Sequence, residues 1–265
     1  MFNDTFQYKT AMVTGASSGL GAAIVKALAL SGVQRIVLVA RREAALQALA
    51  DSLDCTAEVL VADLSTSQGV QAAQERLEGI ELLINNAGFG SFGSFSDHDP
   101  NTEASMVELN CIAPLKLAGH LLPTLIQDDH GCVVNIASGM AFTPMPYMST
   151  YAATKAFLLR WSEGLAGELA QTNVRFITIC PGTFPSEFAD TSGIPVEDIP
   201  GSAIVTCTVE SVVDATLKAI RSNRAVVVPG LGNRFASIAN NFVPRALLRW
   251  VLSRLLGRSA RRLNG

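Results

Sequence analysis

Residues 10–30 read TAMVTGASSGLGAAIVKALAL, and this stretch decides the fold. A short apolar, β-branched run ends at Gly15. Gly19 and Gly21 follow, and from residue 22 to residue 30 apolar side chains recur at helical spacing. Strand, glycine turn and helix in this order open a βαβ unit. Such a turn needs residues without Cβ where backbone approaches a pyrophosphate, and the helix N-terminus offers unpaired N–H groups and a partial positive charge. The spacing is G-x-x-x-G-x-G and not G-x-G-x-x-G, and by itself such a turn also serves to join strand to helix.

The same rhythm continues outward. Strand candidates lie at residues 10–14, 35–39, 57–61, 80–84, 132–137, 174–180 and 225–228, with helical-period segments between them. This alternation is the pattern of a parallel sheet with crossover helices. Runs such as Ile36-Val37-Leu38-Val39 are apolar throughout, which predicts strands covered on both faces. The expectation is one seven-stranded, doubly wound α/β sheet flanked by helices on both faces. No linker, repeat or low-complexity tract divides residues 1–265, so a single domain is expected. Residues 183–209, rich in Gly, Pro, Ser and Asp, follow the sixth strand without a clear period and read as a lid over a ligand crevice.

With 49% hydrophobic and 16% charged residues, the chain is not of the intrinsically disordered class. A net charge of −3 gives no field that gathers nucleic acid, so no nucleic-acid partner is expected. Asp4 and Lys9 break the N-terminal stretch, which argues against a secretory signal. Lys26 and the later arginines interrupt the apolar runs before spanning length. Five cysteines without a Cys-x-x-Cys pair fit small core residues in a reducing, cytoplasmic setting. His98, His120 and His130 stand apart from one another, and no metal is expected.

Tyr151 and Lys155 are four residues apart in a segment, 149–171, that reads as a helix, so they share a face. A phenol of pKa ~10 transfers protons near neutral pH only where a fixed positive charge stabilises phenolate, and an ammonium one turn away supplies one. Ser138 closes the fifth strand at the sheet edge where ligands bind, with a hydroxyl suited to a carbonyl or alkoxide oxygen. Asn110 lies in an apolar helical stretch, 107–122, where an amide needs a partner or a task. The second strand ends in Val39-Ala40-Arg41-Arg42, with no acid to take a ribose 2′-hydroxyl. Arg41 and Arg42 can instead meet a 2′-phosphate with forked, charge-assisted bonds, which favours NADP(H); otherwise they are arginines on a solvated helix start.

Thr14-Gly15-x-x-x-Gly19-x-Gly21, Asn85-Asn86-Ala87-Gly88, Asn110, Ser138, Tyr151-x-x-x-Lys155 and Pro181-Gly182 occur in an order that resembles the short-chain dehydrogenase/reductase family over nearly the whole chain. The resemblance implies a Rossmann-type fold, and a cofactor held by Gly15, Ser17, Ser18, Gly19, Leu20 and Gly21 together with Pro181 and Gly182. It implies that Asp63, with Leu64 beside it, meets the adenine, and that Asn86, Ala87 and Gly88 line the adenosine ribose while also locking strand to helix. It assigns Tyr151 as general acid/base, with Lys155 beside it, Ser138 as the orienting group and Asn110 as holder of a relay water. Ser186 stands where the family has a Thr touching the nicotinamide carboxamide. The loops Phe89-Gly90-Ser91-Phe92 and Met140 to Pro146 carry no basic residue, which points to a hydrophobic ketone, aldehyde or alcohol as substrate. A homodimer or homotetramer is the expected assembly. A non-catalytic NADP(H)-binding sensor or scaffold is the alternative function.

Residues 231–265 hold seven arginines and no Lys, Asp or Glu, against 13 basic and 23 acidic residues in the rest of the chain. After Pro244 a helix is expected with Leu247, Leu248, Val251, Leu252, Leu255 and Leu256 on one face and Arg245, Arg249, Ser253 and Arg254 on the other, capped by Gly257. Two readings of this basic amphipathic extension stay open. Its leucines pack on the protein's own sheet or a second subunit with the arginines paired to the acidic body, or it lies peripherally on an anionic membrane with Trp250 at the interface.

Overall fold

The structure, a computed structural model, describes residues 6–183, 206–222, 224–240 and 242–263. Strands β1 (Thr10–Thr14), β2 (Arg35–Ala40), β3 (Thr56–Val61), β4 (Leu82–Asn85), β5 (Gly131–Ile136), β6 (Val174–Ile179) and the short β7 (Val226–Val227) form one sheet in the order β3-β2-β1-β4-β5-β6-β7. Every pairing is parallel, with Val13 of β1 registered between Leu38 of β2 and Ile84 of β4. The sheet expected from the sequence is present, and each strand overlaps its expected range.

The helices are α1 (Gly19–Leu30), α2 (Glu43–Ala50), α3 (Ser67–Gln74), α4 (Pro100–Val107), α5 (Ala113–Gln127), α6 (Ser149–Glu168), α7 (Val209–Arg221), α8 (Leu231–Ala239) and α9 (Arg245–Leu263). Alternate strand residues feed two cores. Val13, Ile36, Leu38 and Ile84 pack with Ile24 and Leu28 of α1 and Val212 and Ile220 of α7. Met12, Val37, Val39 and Leu83 pack on the other face with Val70 of α3 and Leu117, Leu121 and Leu125 of α5. This double coverage is why the strands read as apolar runs and not as an alternation.

Strand order reverses between β1 and β4, which opens a crevice at their carboxyl ends. The crossover from β4 to β5 is a long helical run, α4 and α5, joined through a π turn at Glu108–Ile112. That run, Pro100–Gln127, is long and apolar enough by length and composition to cross a bilayer, a correction to the reading that charges keep every segment short. Its buried leucines belong to the core of the sheet.

A polar seam crosses this apolar interior. Asn85 Nδ2 donates to Asn135 Oδ1 at 2.8 Å, Asn135 Nδ2 donates to Ser162 Oγ at 2.8 Å, and Ser162 Oγ donates to the Leu158 carbonyl at 2.6 Å. The seam ties β4 and β5 to α6, and all three side chains are buried. Asn135→Ala leaves an amide and a hydroxyl without their bond and opens a void. We expect a loss of about 2–4 kcal/mol, read as a lower urea midpoint at unchanged m-value.

Candidate active site

The carboxyl ends of β1 and β4 are held together through one hydroxyl. Thr14 Oγ1 accepts the Asn86 and Ala87 N–H groups, each at 3.0 Å, and the Asn86 amide donates back to the Thr14 carbonyl at 3.0 Å. The glycine turn is clamped from the other side, where the Gly15 and Ala16 N–H groups donate to the Val39 carbonyl at 2.8 and 3.2 Å. Two glycines are required by contact. A Cβ on Gly15, which has φ +68°, would sit 2.9 Å from Ala87 Cα, and one on Gly21 would sit 2.1 Å from the Gly15 carbonyl oxygen. Gly19, at φ +51°, has open space where its Cβ would be, on the wall of a cavity of about 700 Å³.

The structure brings nearly all of the sequence-derived site residues onto that one cavity. Gly15, Ser17 to Gly21, Arg41, Arg42, Asp63, Leu64, Asn86 to Gly88, Ser138, Tyr151, Lys155, Pro181 and Gly182 line it. Ser186 and most of the lid segment lie outside the described residues. Arg42 leans over the phosphate turn and donates to Ser17 Oγ from Nε at 3.3 Å and Nη2 at 3.2 Å. Arg41 is exposed, 3.9 Å from the Asp63 carboxylate. Burial pushes the Asp63 carboxyl up, but the Ser65 hydroxyl and N–H and the Arg41 charge outweigh it and hold the group below its ordinary value.

At the opposite end, α6 carries Tyr151 and Lys155 on one face. The Ser138 hydroxyl bears on Tyr151, where it favours the phenolate, and its Oγ accepts the Met140 N–H at 3.1 Å. Lys155 Nζ donates to the Ile136 carbonyl at 2.9 Å and lies 5.7 Å from the centre of the Tyr151 ring. Both side chains are buried. Burial pushes the Tyr151 phenol up to about 12 and pulls the Lys155 ammonium down to about 8. Cys111 and Cys180, the thiols whose fields bear on Lys155, are themselves pushed up by burial and stay neutral.

Asn110 does not line the cavity but stands directly behind it. The π turn points it inward, fully buried, where Oδ1 accepts the Phe89 N–H at 3.2 Å and Nδ2 donates to the Phe89 carbonyl at 2.9 Å and to Thr154 Oγ1 at 3.0 Å. A Cβ on Gly88 would lie 2.9 Å from Asn110 Oδ1 and 3.3 Å from Lys155 Nζ, so Gly88 is the point where the β4 loop, Asn110 and Lys155 converge.

The wall facing Tyr151 is where the sequence reading falls short. Met140, Thr143 and Met145 were foreseen in an apolar loop, but Met148 joins them, and α8 and α9 complete the wall with Asn233, Ser237, Asn240, Leu248 and Leu252. Asn233 Nδ2 donates to the Cys180 carbonyl at 3.0 Å, and Asn240 donates to Thr143 Oγ1. The signal available in the sequence was the polar spacing of Asn233, Ser237 and Asn240 within an apolar stretch. Gly257 is not a cap, because α9 runs on to Leu263. It is the contact through which α9 reaches Tyr147, since a Cβ there would lie 2.7 Å from the Tyr147 hydroxyl. Tyr147 itself holds a left-handed φ of +66°. The expected single apolar face of α9 is divided: Leu252, Leu256 and Ala260 pack with Met145, Met148 and Tyr151, while Leu247, Val251 and Leu255 face outward.

The model of the short chain dehydrogenase family matches residues 9–194. An uncharacterized oxidoreductase of Staphylococcus epidermidis is 30% identical over 223 residues, which span 80% of this chain and 96% of that protein. Among solved structures, a short-chain dehydrogenase from Sphingobium yanoikuyae in complex with NADPH is 33% identical with a TM-score of 0.78, covering 88% of this chain and 93% of that one. The bulky-bulky ketone specific alcohol dehydrogenase from Comamonas testosteroni is 30% identical with a TM-score of 0.74, covering 88% and 92%. The protein belongs to the short-chain dehydrogenase family. It is an oxidoreductase whose chemistry is NAD(P)-dependent interconversion of carbonyl and alcohol groups.

The buried ammonium makes a prediction about stability. Between pH 8 and 10 an unfolded Lys binds a proton that folded Lys155 has released, so this group's contribution to stability rises with pH there and is flat below. The unfolding free energy of the wild type minus that of Lys155→Met should climb by about 1.4 kcal/mol per pH unit from pH 8 to 10. A flat difference across that range would show that Lys155 titrates as a solvated side chain.

Proposed function

We propose that the protein reduces hydrophobic ketones or aldehydes to alcohols with NADPH, or runs the reverse oxidation, with Tyr151 as general acid/base. The observation that carries this reading is the Ser138–Tyr151–Lys155 group at the apolar end of a cavity whose other end is the glycine turn. The open space at Gly19 and the close contacts at Gly15 and Gly21 fit a dinucleotide laid against the turn, held by Ser17 to Gly21, Asn86 to Gly88, Tyr151, Lys155, Pro181 and Gly182. Bound NADPH supplies the hydride.

The chain's own groups supply the proton. With its phenol held near 12, Tyr151 is protonated at neutral pH, the state a carbonyl reduction requires of its acid. Ser138 Oγ, on the cavity wall with Tyr151, orients the substrate oxygen toward the phenol. As the Tyr151 proton passes to that oxygen, the Lys155 ammonium stabilises the phenolate left behind. Asn110, clamped to Phe89 behind Lys155, is the group we assign to hold a water from which the proton is replaced. Arg41 and Arg42 favour the 2′-phosphate of NADPH, and the solved complex of the Sphingobium relative with NADPH supports that choice. The methionine-rich wall, with no basic side chain but Lys155 beside Tyr151 among the described residues, favours a hydrophobic carbonyl compound, in line with the ketone named for the Comamonas relative.

Tyr151→Phe removes only the proton-carrying oxygen. It should abolish more than about 95% of turnover while NADPH still binds, measured by cofactor fluorescence; retention of turnover would place the acid elsewhere. Arg41→Ala combined with Arg42→Ala should cut the preference for NADPH over NADH by about tenfold or more, read from the two Kd values.

A further inference from the structure

Helix α8 carries its polarity inside out. Asn233 and Ser237 are buried toward the cavity, while Leu231 is 88% exposed, Phe235 73% and Phe242, just beyond the helix, 82%. Side chains of this size are ordinarily the ones a surface helix buries. The outer side of α9 repeats the feature, with Trp250 53% exposed and Leu247, Val251 and Leu255 beside it in the sequence also exposed. Both helices line the cavity through their other sides.

Charge says what covers this surface. Arg234, Arg245, Arg249, Arg254 and Arg258 are exposed, and none forms an ion pair among the described residues. The Arg254 guanidinium lies 4.3 Å from the Trp250 ring centre, an aromatic and a cation at one level. A second copy of the chain would bring the same unneutralised arginines against themselves across a two-fold contact. An anionic lipid surface answers both features, since acyl chains take the apolar side chains and phosphates take the arginines.

We propose that α8 and α9 dock the protein on an anionic bilayer, so that the carbonyl substrate enters the cavity from the lipid between them. The substrate half of this inference rests on the reductase reading above, whereas the docking half does not. The probe is sedimentation with vesicles of phosphatidylcholine alone or mixed with phosphatidylglycerol, at low and at high salt. The wild type should pellet with the mixed vesicles at low salt and much less with the neutral ones. Phe235→Ser combined with Phe242→Ser, at sites exposed to solvent, should keep the thermal midpoint and lower the partition coefficient by about tenfold or more. Failure of the wild type to pellet with the mixed vesicles, or equal pelleting of the double variant, would overturn the proposal. So would a dimer in sedimentation equilibrium that the double variant dissociates without any vesicle binding, since that assigns the surface to a second copy. Vesicle binding by a protein that neither oxidises NADPH with any ketone or aldehyde nor reduces NADP with any alcohol would leave the docking in place and remove the reductase reading instead.

Discussion

The buried hydroxyl of Thr14 joins β1 to β4 at the place where the strand order reverses, and the site is laid out from that join. A threonine oxygen that accepts two N–H groups fixes the path of Asn86, Ala87 and Gly88. Leaving such groups unsatisfied costs about 1–3 kcal/mol each, so the loop has little freedom. Gly15 and Gly21 let three backbone segments meet with no side chain between them. The same loop then passes Gly88 against Asn110 and Lys155. One join therefore sets the geometry of both ends of the cavity, the glycine turn and the Ser138–Tyr151–Lys155 group.

Electrostatics at the second end follow from burial. Desolvation disfavours the charged form of each partner, which is why the Tyr151 phenol rises and the Lys155 ammonium falls. A phenolate alone is costly in that interior, and an ammonium alone is costly too. A phenolate and an ammonium held this close would offset part of each other's cost. Neutral thiols at Cys111 and Cys180 add no counter-charge to compete for the ammonium.

The strands, the glycine turn and the Tyr-x-x-x-Lys pair were legible because each is a local pattern: an apolar run, a set of missing Cβ atoms, a one-turn spacing. Asn110 was legible as a misplaced amide, but not the π turn that aims it, because one extra residue in a helical turn leaves no mark in composition. The wall made by α8 and α9 was hidden for a related reason. A helix is normally read by assigning its apolar side to the core, and α8 turns Asn233 and Ser237 inward. Gly257 looked like a stop signal and is a contact surface, a distinction that depends on Tyr147, more than a hundred residues away in the chain.

The placement of α8 and α9 also has a temporal side. Ribosomes add about 5–20 residues per second, and residues 231–265 are added after every strand of the sheet, over about 2–7 s. During that interval the nascent chain already contains every strand of the sheet, while Met145, Met148 and Tyr151 lack the leucines that later cover them. Until those residues are in place, the floor formed by Met145, Met148 and Tyr151 lacks part of its cover, an exposed apolar surface of the kind that chaperones bind.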